Sequence, residues 1–194
     1  LVRKEPGGEI LFNNYIKTRR DIRVTHTERG DSIALTRFKK QHFQPAPPPF
    51  ITDYNNRDLV DLANDTQYYQ PQDAPFQINQ KGFYRLRVPG TENGLPLQVI
   101  KSPYPEISSP GQLKNPLIYI TSSDTYQALQ EQQPAKEAVD QFWLDLTDDN
   151  KEKARKMIKH YYRGVEQANR LFSNYKKGWK TDRGMVYIIF GPPQ

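Results

Sequence analysis

The chain has 194 residues, a net charge of +6 and no Cys, which excludes disulfides, thiolate metal sites and Cys nucleophiles. Hydrophobic residues make up 36%, below the roughly 45–50% of an ordinary globular chain, so thin cores and long loops are expected, although 12 Tyr and 9 Phe argue against disorder. No run approaches the ~18 apolar residues of a membrane span, and the opening "LVRKEPGGEI" lacks the basic-then-apolar order of a signal peptide.

The first third reads as β structure. Two strand-like runs, Ile22–Thr27 and Ser32–Phe38, flank Arg29-Gly30-Asp31, the layout of a hairpin around a Gly-containing turn. The loop spells Arg-Gly-Asp-Ser, similar to an adhesive tetrapeptide, but Gly and Asp are what a tight turn requires in any case. From Pro45 to about Pro75 the text becomes rich in Pro, Asn and Asp and reads as loop or linker, with one helical turn near Arg57–Ala63. Alternation returns at Phe83–Val88, where Tyr84, Leu86 and Val88 share a face. Leu95–Ile100 and Leu117–Thr121 are further candidate strands, separated by a Pro-rich stretch. Short strands with such turns favour a small antiparallel sandwich.

At Ser123 the period changes to that of a helix. Ser123 is a candidate N-cap, and a second helix is expected from Pro134, with Ala138, Phe142 and Trp143 close to one face. A third helix, capped by Thr147 or Asp148, carries Ala154, Met157, Ile158, Tyr161, Val165, Ala168, Phe172 and Tyr175 at spacings of three and four. Gly164 interrupts it, and a close helix crossing would be the reason. The segment from Thr147 to Arg183 holds 11 of the 28 basic residues and 5 of the 22 acidic ones, leaving 17 of each elsewhere, so it carries the whole excess charge. Those charges lie opposite the apolar stripe and read as a solvated face rather than a specific nucleic-acid surface. Lys176, Lys177 and Gly178 then read as a helix stop.

Beyond that stop come Trp179, Thr181, Asp182, Arg183 and Gly184, then "MVYIIF", then Gly191-Pro192-Pro193. This ordered set, with the helix text before it, resembles the GWxTD domain of bacterial cell-envelope proteins, found mainly in Bacteroidota, over roughly residues 118–194. The resemblance implies an exported protein, periplasmic or associated with the outer membrane. Attachment through an anchor removed from this chain, and a protein partner in the envelope, go with that address. It implies no established activity.

Read from the residues alone, Gly178, Trp179, Thr181, Asp182, Gly184, Gly191 and Pro192 form a structural motif: Trp179 folds over the apolar stripe, Thr181 and Asp182 fix turn N–H groups, and Gly184 lets the chain enter the following strand. His26, His42 and His160 are scattered, with no metal-binding spacing, and no phosphate loop, dinucleotide fingerprint or nucleophile elbow occurs. No catalytic, cofactor-binding or metal residue is assigned. "MVYIIF" is apolar on both faces, which predicts a buried strand inside a sheet, flanked by an N-terminal strand of this chain, by a partner molecule or by residues of a longer parent protein. Because members of the family it resembles continue past the Gly-Pro-Pro, the resemblance implies the third, a motif domain lacking its C-terminal strands.

The expectation is an α+β chain: a β-rich, sandwich-like domain over 1–122 and a helical domain over 123–194 ending in that strand. The expected function is a non-catalytic envelope protein that binds other proteins. The alternatives are a glycan-binding module and a hydrolase with an unrecognised site; aromatics clustered on one β face would favour the first, and a deep pocket with perturbed carboxylates the second.

Overall fold

A computed structural model describes residues 2–5, 8–11, 14–25, 32–38, 45–48, 64–71, 73–92 and 94–193. It is an α+β protein, strands first and helices after. Two compact units emerge. One takes in the described residues of Leu1–Phe43 and Arg57–Ser102 together with Ser173–Lys176; the other takes in those of Gln44–Asn56, Pro103–Phe172 and Lys177–Gln194.

The first unit contains two sheets. Strands β1 (Val2–Glu5), β2 (Glu9–Ile10), β4 (Asp21–Val24) and β7 (Phe76–Gln77) form one, in the order β2-β1-β4-β7. Strands β3 (Tyr15–Lys17), β5 (Ser32–Phe38), β6 (Asn64–Pro71), β8 (Gly82–Arg87) and β9 (Leu95–Ile100) form the other, in the order β3-β9-β8-β5-β6. Ile22, Val24 and Phe76 of the first sheet share one apolar core with Ile33, Leu35, Tyr84, Leu86, Leu97 and Val99 of the second. Strand β8 shows the expected alternation, with Tyr84 and Leu86 buried and their neighbours half-buried.

Two expectations fail here. Ile22–Thr27 and Ser32–Phe38 do not make a hairpin: β4 pairs antiparallel with β1, while β5 pairs with β6 and β8. The chain changes sheets between them, which a sandwich requires somewhere and which alternation within each strand does not reveal. The Arg29-Gly30-Asp31 turn itself lies outside the described residues, as does the helical turn near Arg57–Ala63. The supposed linker also contains a strand. Seven residues of β6 face β5, from Ser32 opposite Pro71 to Phe38 opposite Asn64.

The second unit is helical. Pro103–Ser122 packs with the helices: Leu117 and Tyr119 lie in their core, and Leu117–Thr121 is no strand, since a 3-10 helix runs over Asn115–Tyr119 with Pro116 withholding an N–H at its start. Helix α1 (Pro110–Lys114) precedes it and α2 (Ser123–Glu131) follows, capped by Ser122, whose Oγ accepts from Thr125 N at 3.2 Å. Buried Lys114 donates from Nζ to the carbonyls of Gln130 and Gln132 at the end of α2, where a cation suits the helix dipole. Helix α3 (Ala135–Asp145) buries Ala138, Val139 and Trp143. Helix α4 (Lys151–Phe172) buries Ala154, Tyr161, Tyr162, Val165, Ala168 and Asn169 and exposes Lys151, Lys153, Arg155, Lys156, Lys159 and Arg163. Asn150 caps it, its Oδ1 accepting from Lys153 N, while the Thr147 hydroxyl donates to the Trp143 carbonyl at the end of α3.

The core centres on aromatics: Trp143 lies 5.5 Å from Tyr161 and 6.2 Å from Tyr162, ring to ring. Tyr161 OH donates to Pro116 O at 2.6 Å and Tyr162 OH to Leu113 O at 2.9 Å. Burial pushes both phenols above their ordinary value. The folded state therefore keeps these protons where the unfolded chain, with phenols near pKa ~10, would release them. Stability should hold below about pH 10 and fall as pH rises above it. Tyr161→Phe/Tyr162→Phe should flatten that alkaline decline in a series of thermal melts. A wild-type melting temperature that declines no faster than the variant's would contradict the burial of the two hydroxyls.

Candidate functional site

The chain leaves α4 at Phe172, five residues before Lys177, so Gly178 is not its stop signal. Instead Gly178–Lys180 forms a 3-10 turn lying back against α4, and the reason for glycine is space. A Cβ on Gly178 would sit 2.7 Å from Asn169 Cα and nearer still to the Ala168 carbonyl oxygen. A Cβ on Gly184 would lie 2.8 Å from the Gly178 carbonyl carbon. Three backbone segments thus stack at a separation that no side chain permits.

The segment "MVYIIF" is helix, not strand: α5 runs over Asp182–Phe190. Thr181 is its N-cap. The Thr181 hydroxyl accepts from Gly184 N at 3.0 Å and donates to Gly178 O at 2.8 Å, so one side chain both caps α5 and closes the preceding turn. Met185 N adds the first helical bond to Thr181 O at 2.8 Å. Asp182 is exposed in the first turn, where a carboxylate is favoured by the helix dipole. Gly191, at φ +82°, ends the helix by donating its N–H to Tyr187 O, and Pro192 follows where no helical bond is needed. A helix satisfies its own backbone, so "MVYIIF" is not the unpaired apolar strand that its composition suggested.

Trp179 is 5% exposed, in the same core as Val165, Tyr161 and Met185. Its N–H donates to Asn169 Oδ1 at 3.1 Å and its carbonyl accepts from Tyr119 OH at 2.8 Å, while the two rings meet edge to face at 6.1 Å. Asn169 is the residue that the sequence reading passed over. Its Nδ2 donates to Pro105 O at 3.2 Å, joining α4, the motif and the segment before α1 through one buried amide. The signal was present, because Asn169 falls four residues after Val165 and three before Phe172, on the buried stripe itself.

The motif residues Gly178, Trp179, Thr181, Asp182, Gly184, Gly191 and Pro192 are therefore brought together around the turn and helix α5, with Gly191 and Pro192 at its far end. Outward from this turn α5 presents Val186, 48% exposed, and Phe190, 71% exposed, on the side that also carries exposed Arg183. Its inner side crosses α4 at Gly164, where a Cβ would lie 3.9 Å from Ile188 Cα, and Tyr187 meets the Phe172 ring at 5.6 Å. Among the described residues no group of three or more His, Asp or Glu stands close enough to hold a metal. His160 is exposed on α4; His26 and His42 lie outside the described residues. Tyr68 and Tyr69, the exposed aromatics of β6, are consecutive and point to opposite faces, so they make no platform on one face.

The geometry separates two glycines in a urea titration. Gly178→Ala has no room and should cost about 3 kcal/mol or more, whereas Gly164→Ala gains an ordinary contact and should stabilise by about 0.5–1 kcal/mol. Trp179→Ala should cost about 3–5 kcal/mol. A Gly178→Ala midpoint equal to wild type would refute the close approach to α4.

The family model for the GWxTD domain matches residues 82–194, more than half of the chain, beginning at β8 rather than at the helices. No curated protein and no solved structure matches the chain.

Proposed function

The chain belongs to the GWxTD domain family, and from that membership we propose that it is a non-catalytic protein of the bacterial cell envelope that binds another protein through helix α5. The address comes from the family resemblance. No helix among the described residues is long and apolar enough to cross a membrane, which leaves the manner of any membrane attachment open.

What supports binding is the outward row of α5. Val186 and Phe190, four residues apart with Arg183 one turn before them, are the spacing with which a helix enters an apolar groove. The motif behind them serves that presentation: its glycines, the Thr181 hydroxyl and the Trp179 backbone are all engaged in fixing where α5 starts and how it lies on α4. A row of two exposed apolar side chains on one helix face offers area that a partner can bury, and a helix held from below gives up little entropy when that happens.

Val186→Gln/Phe190→Gln should leave the melting temperature nearly unchanged, because both positions are exposed. Affinity capture from native envelope with wild type and variant in parallel should recover a protein with the former and lose it, by about tenfold or more, with the latter. Equal recovery by both would overturn α5 as the binding element. Recovery of the bait alone in both would count against a protein partner.

A further inference from the structure

Strand β6 is the longest described strand, at eight residues, and stands at the end of its sheet. Among the described residues it is hydrogen-bonded to one strand, β5, so its other edge offers a row of backbone donors and acceptors. Edge strands are usually protected by a charge, a bulge or a Pro within them; in β6 these stand only at its two ends, as Asp65 with the register shift opposite Arg37 and Phe38 and as Pro71, and Thr66–Gln70 between them carries no charge and no Pro. Tyr68 stands opposite Leu35, a buried residue of the sandwich core, and so shares the core face of the sheet, but it is 39% exposed there. Tyr69, on the other face, is 63% exposed.

A two-fold axis perpendicular to the sheet pairs two such edges antiparallel and leaves each face on its own side. Directly opposed residues must share a face, so the axis passes through a residue that meets its own copy, and not between two residues. Placed at Tyr68, it pairs the uncharged run Thr66–Gln70 with the same run of a second copy, and no other centre does so. On the core face Tyr68 then meets its own copy, which covers the exposed ring and extends the core across the seam. On the outer face each Gln67 falls opposite the other copy's Tyr69. Gln67 Nε2 donates to Tyr69 OH at 3.2 Å within one strand, so the amide and the phenol are compatible partners, and in the pairing the same donor and acceptor types meet across the seam. Aromatic pairs and hydrogen-bonded polar pairs across strands are among those that stabilise sheets. Two five-stranded sheets joined in this way make ten strands, within the size that open sheets reach.

We infer that the β6 edge is a homodimer interface: two copies of this chain pair antiparallel through Thr66–Gln70, with Tyr68 opposite Tyr68 and Gln67 opposite Tyr69. This inference does not depend on the role of α5. A two-fold axis uses each β6 edge once, so the assembly closes at two copies rather than growing into a fibre.

The test uses sedimentation equilibrium of the whole chain from about 5 to about 500 µM, the range suited to a small interface. Wild type should pass reversibly from monomer to dimer. Gln67→Lys/Tyr69→Lys places like charges opposite one another twice and should abolish the dimer, raising its dissociation constant by about tenfold or more. Gln67→Lys/Tyr69→Glu places opposite charges at the same two points and should restore it, an outcome peculiar to this register. On the unmodified protein, amide exchange over 64–71 should slow as concentration rises, and should do so there before anywhere else. Monomer at every concentration would overturn the inference. So would a dimer indifferent to the double lysine change, a Gln67→Lys/Tyr69→Glu protein that stays monomeric, or exchange over 64–71 independent of concentration.

Discussion

The backbone of Gly178 lies against the carbonyl end of α4 at Ala168 and Asn169, closer than any Cβ would allow, and the helical unit is arranged around that contact. It brings the chain back onto α4 after five residues outside helix, and so puts Trp179 into the core rather than into solvent. The approach is repeated one layer out, where Gly184 rests on the Gly178 carbonyl. Two glycines six residues apart stack three backbone segments. Close packing of this kind leaves no freedom for the turn between them, so a side chain anywhere in the stack is felt throughout it.

The remaining motif residues follow from this constraint. A backbone pressed against a helix has polar groups that water cannot reach, and each must find a partner inside. Asn169 takes the Trp179 N–H, Tyr119 supplies a hydroxyl to the Trp179 carbonyl, and Thr181 satisfies both the Gly178 carbonyl and the Gly184 N–H. Asp182 adds charge at the helix start without needing burial. These polar atoms are engaged in holding backbone; the side chains left facing water on α5 are Asp182, Arg183, Val186 and Phe190. That division, fixed groups inward and a short apolar row outward, supports reading the motif as a mount for α5.

Much of the helical unit was legible because amphipathic helices write their burial into spacing: the stripe from Ala154 to Phe172 appears as buried or half-buried residues of α4. Strand β8 was legible for the same reason with a period of two. The errors have equally definite causes. Six apolar residues in a row have no period, so "MVYIIF" fits a buried strand as well as a buried helix, and the cap decides. Thr181 followed by Asp182 was the helix-start signal, and it outweighed β-propensity once Gly184 allowed the first turn to nestle on Gly178. Strand β6 was hidden because its sequence carries Asn, Asp and Gln in the manner of a loop, and its described side chains from Gln67 to Tyr69 are exposed on both faces, so that no apolar alternation marks it. Gly178 was misread because Lys-Lys-Gly is a good helix stop; only the fold shows that its missing Cβ makes room for α4.

Native-state hydrogen exchange in low urea tests the central contact most directly, residue by residue. If Gly178 and Gly184 are locked to α4, the amides of Trp179, Gly184 and Met185 should exchange only when the helical unit unfolds as a whole, with the same opening free energy as Val165 and Ala168 in the middle of α4. Exchange of those three amides by local fraying, at an opening free energy well below that of Val165, would show that the turn and α5 are not held by the glycine stack.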